Sequence, residues 1–356
     1  MKFGVFILGD KPNHLSEREV LANVLQEARW AEELGYDEVW LAEHHFSPYG
    51  MLPDLPQVAT AIAAQTERIR IGTACMVAPF HDPIQLAERI AVVDVLSGGR
   101  FDAGFGRGYQ SHEFKGFGIS MDEATGRYQE CVEIVDRLLT EENVSYHGKY
   151  FQIEDVTIYP RPGRKIPVWG TVMKTPSSFE WLADKGYGAI IGNPYQVDPD
   201  LKGALDIYLD VQSRKGLDAA TGNVWALLNA FCHEDDGFAR SYPRQSVELS
   251  IETHRKYSNP FERGGEIPAD YKAYADWFEK HDKQSYEQVL NSHLTLMGNP
   301  ERIIGKMRTV IDMGWRNIIL RMSRGGAMER SKVYDSMKLF AQEVIPAASE
   351  LAAAAV

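Results

Sequence analysis

Cysteine is scarce in this chain of 356 residues, and long apolar runs are missing from it. The three thiols, Cys75, Cys131 and Cys232, are odd in number, lie far apart and show no CxxC spacing. This pattern argues against a disulfide framework or a zinc site, and it predicts a reducing, cytoplasmic compartment. No run approaches the roughly 18 apolar residues of a membrane helix, and the apolar start at 1–8 is too short for a signal peptide. We therefore expect no membrane span.

Basic residues are also in deficit. Lys and Arg together number 38 against 50 Asp and Glu, which gives a formal charge of −12. A surface that follows a phosphate backbone needs a basic face, so we expect no nucleic-acid partner. The apolar fraction of 44% and the charged fraction of 25% are ordinary for a globular protein, and they exclude a disordered or fibrous chain.

Strand-like and helix-like segments alternate almost from end to end. Eight apolar segments indicate strands: 3–8, 37–42, 69–77, 100–105, 167–173, 188–192, 224–231 and 315–322. Strands that alternate with helices imply a parallel sheet, and eight units are the number that closes a barrel. We predict an α/β fold, a (β/α)8 TIM barrel, as a single domain over 1–356. A doubly wound open sheet is the alternative.

Two segments do not fit the repeating unit. Residues 146–159 alternate like a β-hairpin, and we expect this hairpin to lie off the main fold. The stretch at about 233–291 exceeds ordinary loop lengths and is rich in aromatic and charged residues. It predicts a helical insertion that acts as a lid.

Residues that can take part in catalysis or bind a ligand follow the second predicted strand as Glu43-His44-His45. Active sites of α/β barrels lie at the carboxyl ends of strands, so this position favours a catalytic or ligand-facing histidine over a merely packed pair. Successive strand residues point to opposite faces, so only one of the two histidines can face the site. A metal site is the competing interpretation. Because no HxH or HExxH spacing is present, we predict no metal.

Two further segments predict an anion site at the same barrel mouth. Gly104-Phe-Gly-Arg-Gly108 lacks the GxGxxG spacing of a dinucleotide site, but Arg107 can donate two hydrogen bonds to a phosphate. A tight turn with a surface arginine explains the segment equally well. Lys174, Thr175, Ser177 and Ser178 precede or open a predicted helix, whose amides and dipole favour an anion. Capping alone accounts for one of these hydroxyls.

Taken together, these motifs resemble the bacterial-luciferase-like family of flavin-dependent monooxygenases, and in particular its luciferase alpha subunits. The resemblance runs over most of the chain and is strongest at 42–46, 71–75, 96–108, 178–181 and 298–301. It implies a (β/α)8 barrel, which agrees with the count of strands. It also implies that reduced FMN binds at the mouth and reacts with O2 to give a C4a-hydroperoxyflavin. That species oxygenates a hydrophobic small molecule, and the resemblance suggests a long-chain aldehyde as this substrate.

The resemblance assigns roles to individual positions. His44 matches the catalytic histidine, and Glu43 and His45 become supporting residues. Ala74 and Cys75 match a non-prolyl cis peptide beneath the flavin ring. The predicted cofactor contacts are Ala74, Cys75, Gly106, Arg107, Lys174, Thr175, Ser177 and Ser178. Phe46, Met76 and Tyr109 are the predicted walls of the substrate pocket.

Two positions depart from the family pattern. Light-emitting members carry a reactive cysteine where this chain has Gly106, so the resemblance does not imply that this chain emits light. They have an acidic residue where this chain has Lys174, and the added cation should strengthen phosphate binding.

The resemblance also suggests partners and alternatives. FMNH2 would come from a separate NAD(P)H:flavin reductase, and a homodimer would form through the alanine-rich helix at about 56–65. The first alternative is an F420-dependent oxidoreductase that transfers hydride without O2. A non-catalytic flavin-binding protein and a metal-dependent hydrolase are further alternatives.

Overall fold

The computed structural model describes residues 1–173, 175–192, 201–217, 223–260, 267–281, 284–292 and 295–355. The strands in these ranges are β1 (Lys2–Ile7), β2 (Glu38–Leu41), β3 (Arg70–Thr73), β4 (Met76–Val77), β5 (Phe101–Gly106), β6 (Val144–His147), β7 (Gln152–Val156), β8 (Val168–Val172), β9 (Gly188–Ile191), β10 (Val224–Cys232), β11 (Thr295–Gly298) and β12 (Asn317–Arg321).

The α-helices of the same ranges are α1 (Glu17–Glu33), α2 (Leu55–Ala63), α3 (Pro83–Ser97), α4 (Ser111–Phe117), α5 (Ala124–Thr140), α6 (Pro176–Lys185), α7 (Leu201–Arg214), α8 (Asp236–Ser241), α9 (Arg244–Ser258), α10 (Lys272–His281), α11 (Tyr286–Asn291), α12 (Pro300–Asp312), α13 (Arg330–Leu339) and α14 (Ile345–Ala354). A π-helical turn, Phe340–Val344, joins the last two. None of the helices described has the length and apolarity needed to cross a membrane.

Eight parallel strands close into a ring in the order β1, β2, β3, β5, β8, β9, β10 and β12. The ring is closed by the pairing of β12 with β1, in which Lys2 lies opposite Asn317 and Val5 opposite Leu320. An open doubly wound sheet would end in two unpaired edges, so the closure confirms the predicted (β/α)8 barrel.

Helix ends follow local sequence signals. Ser16 begins α1 with a capping box, in which its side chain and that of Glu19 each bind the other residue's backbone N–H. Asp82 caps α3 by accepting from two backbone amides, and Gly98 ends that helix in the left-handed region at φ 68°. These caps fix where each crossover helix leaves and rejoins the barrel.

The two segments outside the repeating unit have the predicted secondary structure, and the strands differ from the prediction at two places. β6 and β7 form a separate antiparallel pair, as the alternating pattern at 146–159 predicts. The described part of 233–291 is helical and contains α8 to α11, and its role as a lid stays a prediction. The strand predicted at 69–77 is divided into β3 and β4 by the Ala74–Cys75 peptide. β11, which pairs with the carboxyl half of β10, was missed because its four residues have no strand-like period.

Three tryptophan rings fill the interior of the barrel. Trp40, Trp169 and Trp225 meet with ring centroids 5.5 to 6.5 Å apart. Glycines make this packing possible, because a Cβ at Gly72 would lie 2.4 Å from the Trp40 ring and one at Gly188 would lie 2.2 Å from the Trp169 ring. A filled interior leaves the carboxyl ends of the strands as the place for a ligand site.

We expect Gly104→Ala to destabilise the barrel by about 3 kcal/mol, because the new methyl group would overpack against a neighbouring strand. Its Cβ would lie 1.8 Å from the Thr73 carbonyl oxygen, a backbone atom that cannot turn aside. Gly305→Ala in α12 is the matched control, since it meets open space and should stabilise by about 0.5–1 kcal/mol. Urea unfolding followed by tryptophan fluorescence measures both. Equal midpoints for the two variants would contradict this account of the barrel.

Candidate active site

The tip of β2 sends its residues alternately into and out of the barrel. Trp40 and Ala42 belong to the interior apolar cluster, so His44, two residues further, also faces inward. Glu43 and His45 lie on the outer side, where the Glu43 carboxylate accepts from Nε2 of His45 at 2.8 Å. The structure therefore separates the two adjacent histidines, as the strand period predicts.

A carboxylate from α4 holds the His44 ring. Oε1 of Glu113 lies 3.0 Å from Nδ1 of His44 and accepts the backbone N–H of His45 at 2.8 Å. Both side chains are buried, with 8% of His44 and 1% of Glu113 exposed. An ionised carboxylate can only accept, so Nδ1 carries the proton in this contact. The Nε2 atom makes no hydrogen bond to the described residues and is left for a ligand.

Sequence reasoning missed Glu113. It lies in the short helix α4 after the fourth barrel strand, 69 residues from His44 along the chain. Only its position beyond a strand tip, next to His112, distinguishes it from a surface glutamate.

Glu43 joins two histidines on the outer side of the strand tips. Its carboxylate contacts Nε2 of His45 and Nε2 of His81 at 2.8 to 3.0 Å, and it accepts the Val77 N–H at 3.1 Å. Burial raises the pKa of Glu43, but the charge of His81 and the hydrogen bonds with both histidines outweigh burial and lower it to about 2. Burial lowers the pKa of His81, yet the charge of Glu43 raises it above its ordinary value overall. This cluster supports the β2 and β4 tips from outside.

The described residues contain no group of three or more His, Cys, Asp or Glu side chains arranged to hold a metal ion. His81, one of the histidines that appear scattered in the sequence, is instead bound to Glu43.

The Ala74–Cys75 peptide between β3 and β4 is cis, at the position that the resemblance indicated. The Cys75 thiol fills the space beside Gly106, because a Cβ at that glycine would lie 2.2 Å from Sγ. Burial raises the pKa of Cys75 to about 12, although a hydrogen bond with Thr171 lowers it. Cys75 is therefore a neutral thiol at physiological pH, and its bulk explains why position 106 has no side chain.

Arg107 extends from the tip of β5 to the helical insertion. It donates to the Thr125 hydroxyl and to the Asp270 carbonyl, each at 3.2 Å, and lies 4.3 Å above the Tyr271 ring. The Tyr271 hydroxyl in turn donates to the Gly108 carbonyl at 3.0 Å. One third of the arginine side chain remains exposed, so its fork can still meet a ligand. Sequence reasoning did not link Asp270 with Arg107 or Tyr271 with Gly108, because each pair is 163 residues apart in the chain.

The start of α6 presents hydroxyl groups to solvent. Thr175 is the N-cap residue, yet it makes no capping hydrogen bond with its side chain. Thr175 and Ser177 are exposed and Ser178 is half-buried. Lys174, the predicted cation of this segment, lies outside the described residues. Backbone amides at a helix N-terminus with uncommitted hydroxyls can accept a phosphate.

The predicted pocket residues lie in three different places. Tyr109 is at His44, with ring centroids 5.9 Å apart, and it also stacks on His254. Phe46 is 61% exposed and packs on Phe117 on the outer side of the barrel. Met76 has no exposed surface and belongs to the apolar layer around the barrel.

Tyr49 and His254 complete the wall in front of His44, and sequence reasoning missed His254. The Tyr49 ring lies 4.9 Å from the His44 ring and 5.2 Å from that of His254. Both residues are buried, with 3% of Tyr49 and 2% of His254 exposed. Aromatic rings on one side of the imidazole make this wall largely apolar.

The mouth has small residues where a flat ring would need space. Above the tryptophans, the next inward position on four strands has a small side chain or none: Ala42, Ala74, Gly106 and Gly192. Small residues allow a ligand to approach the backbone closely. The small residues leave space for a planar ring, and Arg107 and the start of α6 offer donors to a phosphate. The mouth therefore fits a planar ring that carries a phosphate arm.

We expect Glu43→Gln to destabilise the protein by about 2–3 kcal/mol near pH 6, since it removes hydrogen bonds to a charged group. The raised pKa of His81 means that its contribution is complete below about pH 6.5 and is lost as pH rises through the folded pKa. Arg89 opposes and Asp54 supports the charge on this ring. The destabilisation should therefore be smaller at pH 9 than at pH 6.

Urea unfolding of the variant and the parent at both pH values measures this difference. Glu142→Gln, at a side chain that is 65% exposed, is the control for general effects of pH. A destabilisation of equal size at pH 6 and pH 9 would contradict the His81 assignment.

Known proteins resemble the chain over nearly its whole length. The alkanal monooxygenase alpha chain of Photorhabdus luminescens is 28% identical over 356 residues, which cover 97% of this chain and 96% of the relative. The monooxygenase RslO1 from Streptomyces bottropensis superposes with a TM-score of 0.83 and 28% identity, covering 97% of this chain and 99% of that one.

Two more distant structures share the fold. One is the oxygenating constituent of 3,6-diketocamphane monooxygenase from Pseudomonas putida in complex with FMN, with a TM-score of 0.80, 17% identity and coverage of 97% and 98%. The other is an F420-dependent secondary alcohol dehydrogenase in complex with an F420–acetone adduct, with a TM-score of 0.72, 18% identity and coverage of 98% of both chains.

The model of the luciferase-like monooxygenase family matches residues 1–317. That range takes in β1 to β11 and every residue described around His44, Arg107 and the start of α6. The match spans most of the chain, and the chain therefore belongs to the luciferase-like monooxygenase family.

Proposed function

We propose that this protein is an FMNH2- and O2-dependent monooxygenase that acts on a hydrophobic small molecule, with an aldehyde as the model substrate. The observation that carries the proposal is the buried His44–Glu113 pair, which lies inside the barrel mouth with Nε2 of the imidazole uncommitted. We further propose a two-component system in the cytoplasm, in which a separate NAD(P)H:flavin reductase supplies FMNH2.

The residues of the mouth would hold the cofactor at two ends. Arg107 and the hydroxyls of Thr175, Ser177 and Ser178 would bind the phosphate, with Lys174 as an added cation. Ala74, Cys75 and Gly106 would lie against the ring. The bound reduced flavin supplies the activation of O2.

His44 would control a proton at the reacting oxygen. Its Nε2 can donate to an oxygen or accept from one, depending on protonation, and Glu113 at Nδ1 stabilises the imidazolium when it forms. Tyr49 and Tyr109 cover the ring and exclude water, which would otherwise divert the activated oxygen. The contact of Tyr271 with Arg107 supports a role of the insertion at 233–291 in closing the site.

His44→Ala and Arg107→Ala should affect different steps. His44→Ala removes a proton donor but no phosphate contact, so FMN affinity should stay within about twofold. The yield of decanoate from decanal should fall by about tenfold or more. Arg107→Ala should weaken FMN binding by about 1.5–3 kcal/mol, the cost of a lost hydrogen bond to a charged group.

The test uses protein loaded with FMN, reduced without oxygen, and then mixed with O2 and decanal. FMN binding is measured by titration, and product by mass spectrometry. Arg308→Ala, at an exposed position on α12, is the matched control and should change neither value. Equal decanoate yields for His44→Ala and the parent would remove His44 from the mechanism.

The alternative is F420-dependent hydride transfer, which the shared barrel of an F420-dependent secondary alcohol dehydrogenase supports. Oxygen distinguishes the two functions, because hydride transfer from reduced F420 to a ketone needs none. Ketone reduction by F420H2 under argon, without O2-dependent turnover of FMNH2, would establish the alternative. Turnover of substrate with either FMNH2 or F420H2 would exclude a non-catalytic flavin-binding protein.

We also propose that the protein is a homodimer that uses the face formed by α2 and α3. α3 carries three apolar side chains that are at least one third exposed, namely Val92, Val95 and Leu96. Exposed apolar surface of this kind is typical of an interface. Sedimentation equilibrium should give twice the chain mass, and Leu96→Glu should shift the population toward monomer. A monomer for the parent protein would refute the dimer.

A further inference from the structure

Three polar residues lie side by side on neighbouring strands at one wall of the barrel. Asn229 on β10 is in register with Thr295 on β11 and with Arg321 on β12. Register partners in a parallel sheet point to the same face and lie about 4.8 Å apart. Asn229 and Thr295 have no exposed surface, and Arg321 is 4% exposed. We call these three residues the polar row.

Each member of the polar row has a buried polar atom without a partner among the described residues. These atoms are both amide atoms of Asn229, Oγ1 of Thr295 and Nε of Arg321. Buried polar groups are nearly always hydrogen-bonded, and an unpaired one costs free energy. Three of these atoms can donate, namely Nδ2 of Asn229, Oγ1 of Thr295 and Nε of Arg321, so they indicate a place where the oxygens of a ligand supply the missing bonds.

The polar row faces the interior near its mouth. Asn229 follows Trp225 and Leu227 at steps of two along β10, and both of these belong to the interior cluster. The Arg321 guanidinium lies over the Phe6 ring at 5.9 Å, and, against the lowering effect of burial, the nearby Tyr49 helps to raise the pKa of Arg321. Tyr49 in turn contacts the His44 ring at 4.9 Å, so one tyrosine separates the polar row from the histidine.

The wall with the polar row is not the wall that would hold the flavin. The proposed cofactor contacts lie on β3, β5 and the segment after β8, which are consecutive around the ring. β10 and β12 are neighbours on the other part of the ring, beyond β9. A molecule bound between the polar row and His44 would therefore face the flavin from the substrate side.

Positive charge accompanies the unpaired donors. Asp10 holds Arg321 through Nη2 at 2.8 and 3.1 Å and also accepts the Gly325 N–H, so its carboxylate is already shared. Arg324 is buried near the same wall, with 2% exposed. Burial, His44, Arg324 and Arg321 together hold the pKa of His254 well below its ordinary range. A positive potential at this wall favours an anion over a neutral carbonyl group.

We propose that Thr295, Asn229 and Arg321 form a subsite for an anionic two-oxygen group of the substrate, a carboxylate or an ionised enol conjugated to a carbonyl. The Arg321 Nε–H, the Asn229 amide and the Thr295 hydroxyl donate to its oxygens, and the apolar part of the molecule lies along Tyr49 and Tyr109. This inference rests on the proposed function, and it narrows the hydrophobic substrate proposed there to one that also carries an anionic group.

The test compares octanoate with octan-1-ol, two probes of equal chain length that differ in charge. Calorimetric titration of the FMN-loaded full-length protein at neutral pH should show tighter binding of octanoate. Thr295→Val and Asn229→Asp should each weaken octanoate binding by about tenfold to a hundredfold, the effect of losing one or two hydrogen bonds to a charged group. Binding of octan-1-ol should stay within about twofold.

The two variants and one control distinguish effects on folding from effects on probe binding. Asn229→Asp places a carboxylate in register with Arg321, so the variant should fold while its own charge repels the probe. Thr309→Val, at an exposed position on α12, is the matched control and should leave both probes unaffected. Circular dichroism of every variant confirms the fold before titration.

Each outcome decides the assignment. Equal affinity of the parent protein for the two probes would overturn it, whether or not decanal is oxygenated. Loss of FMN affinity in Thr295→Val and Asn229→Asp, with octanoate selectivity unchanged, would also overturn it by assigning the row to the flavin. Selective loss of octanoate binding supports the subsite even if the protein fails to consume O2.

Discussion

The alternation of side chains along the closed parallel strands is the constraint on which this structure depends. At the tip of β2 it turns His44 into the barrel and sends Glu43 and His45 outward. Were the register of β2 shifted by one residue, His44 would leave the interior and Glu43 would enter it. The ring closure of eight strands holds that register, because each strand is paired on both sides.

Two clusters of carboxylate and imidazole meet at the same tip with different chemistry. Outside, Glu43 binds two histidines and a backbone N–H, so its hydrogen-bonding capacity is used within the protein. Inside, Glu113 binds one nitrogen of His44 and leaves the other. A fully bonded cluster stabilises the strand ends, whereas a half-bonded imidazole can take part in proton transfer.

The barrel mouth divides into walls of different chemistry. The wall of β3, β5 and the segment after β8 has small residues, an arginine and helix-start hydroxyls, which suit a ring with a phosphate. The wall of β10, β11 and β12 carries the polar row, and Tyr49 joins it to His44. On the proposals above, a substrate held at the polar row and a flavin held opposite would meet at the histidine.

Local pattern determined the barrel, the eight ring strands, the hairpin and the split between His44 and His45, because periodicity acts over a few residues. The sequence pattern also assigned Tyr109, Phe46 and Met76 to one pocket. Only Tyr109 lies at the histidine, whereas Phe46 lies on the outer side of the barrel and Met76 lies in the apolar layer around it. Sequence alone could not find Glu113, His254, β11 or the polar row. Their roles come from contacts between residues far apart in the chain, such as the 69 residues between His44 and Glu113. Only the closure of the ring decides which of these side chains share one mouth.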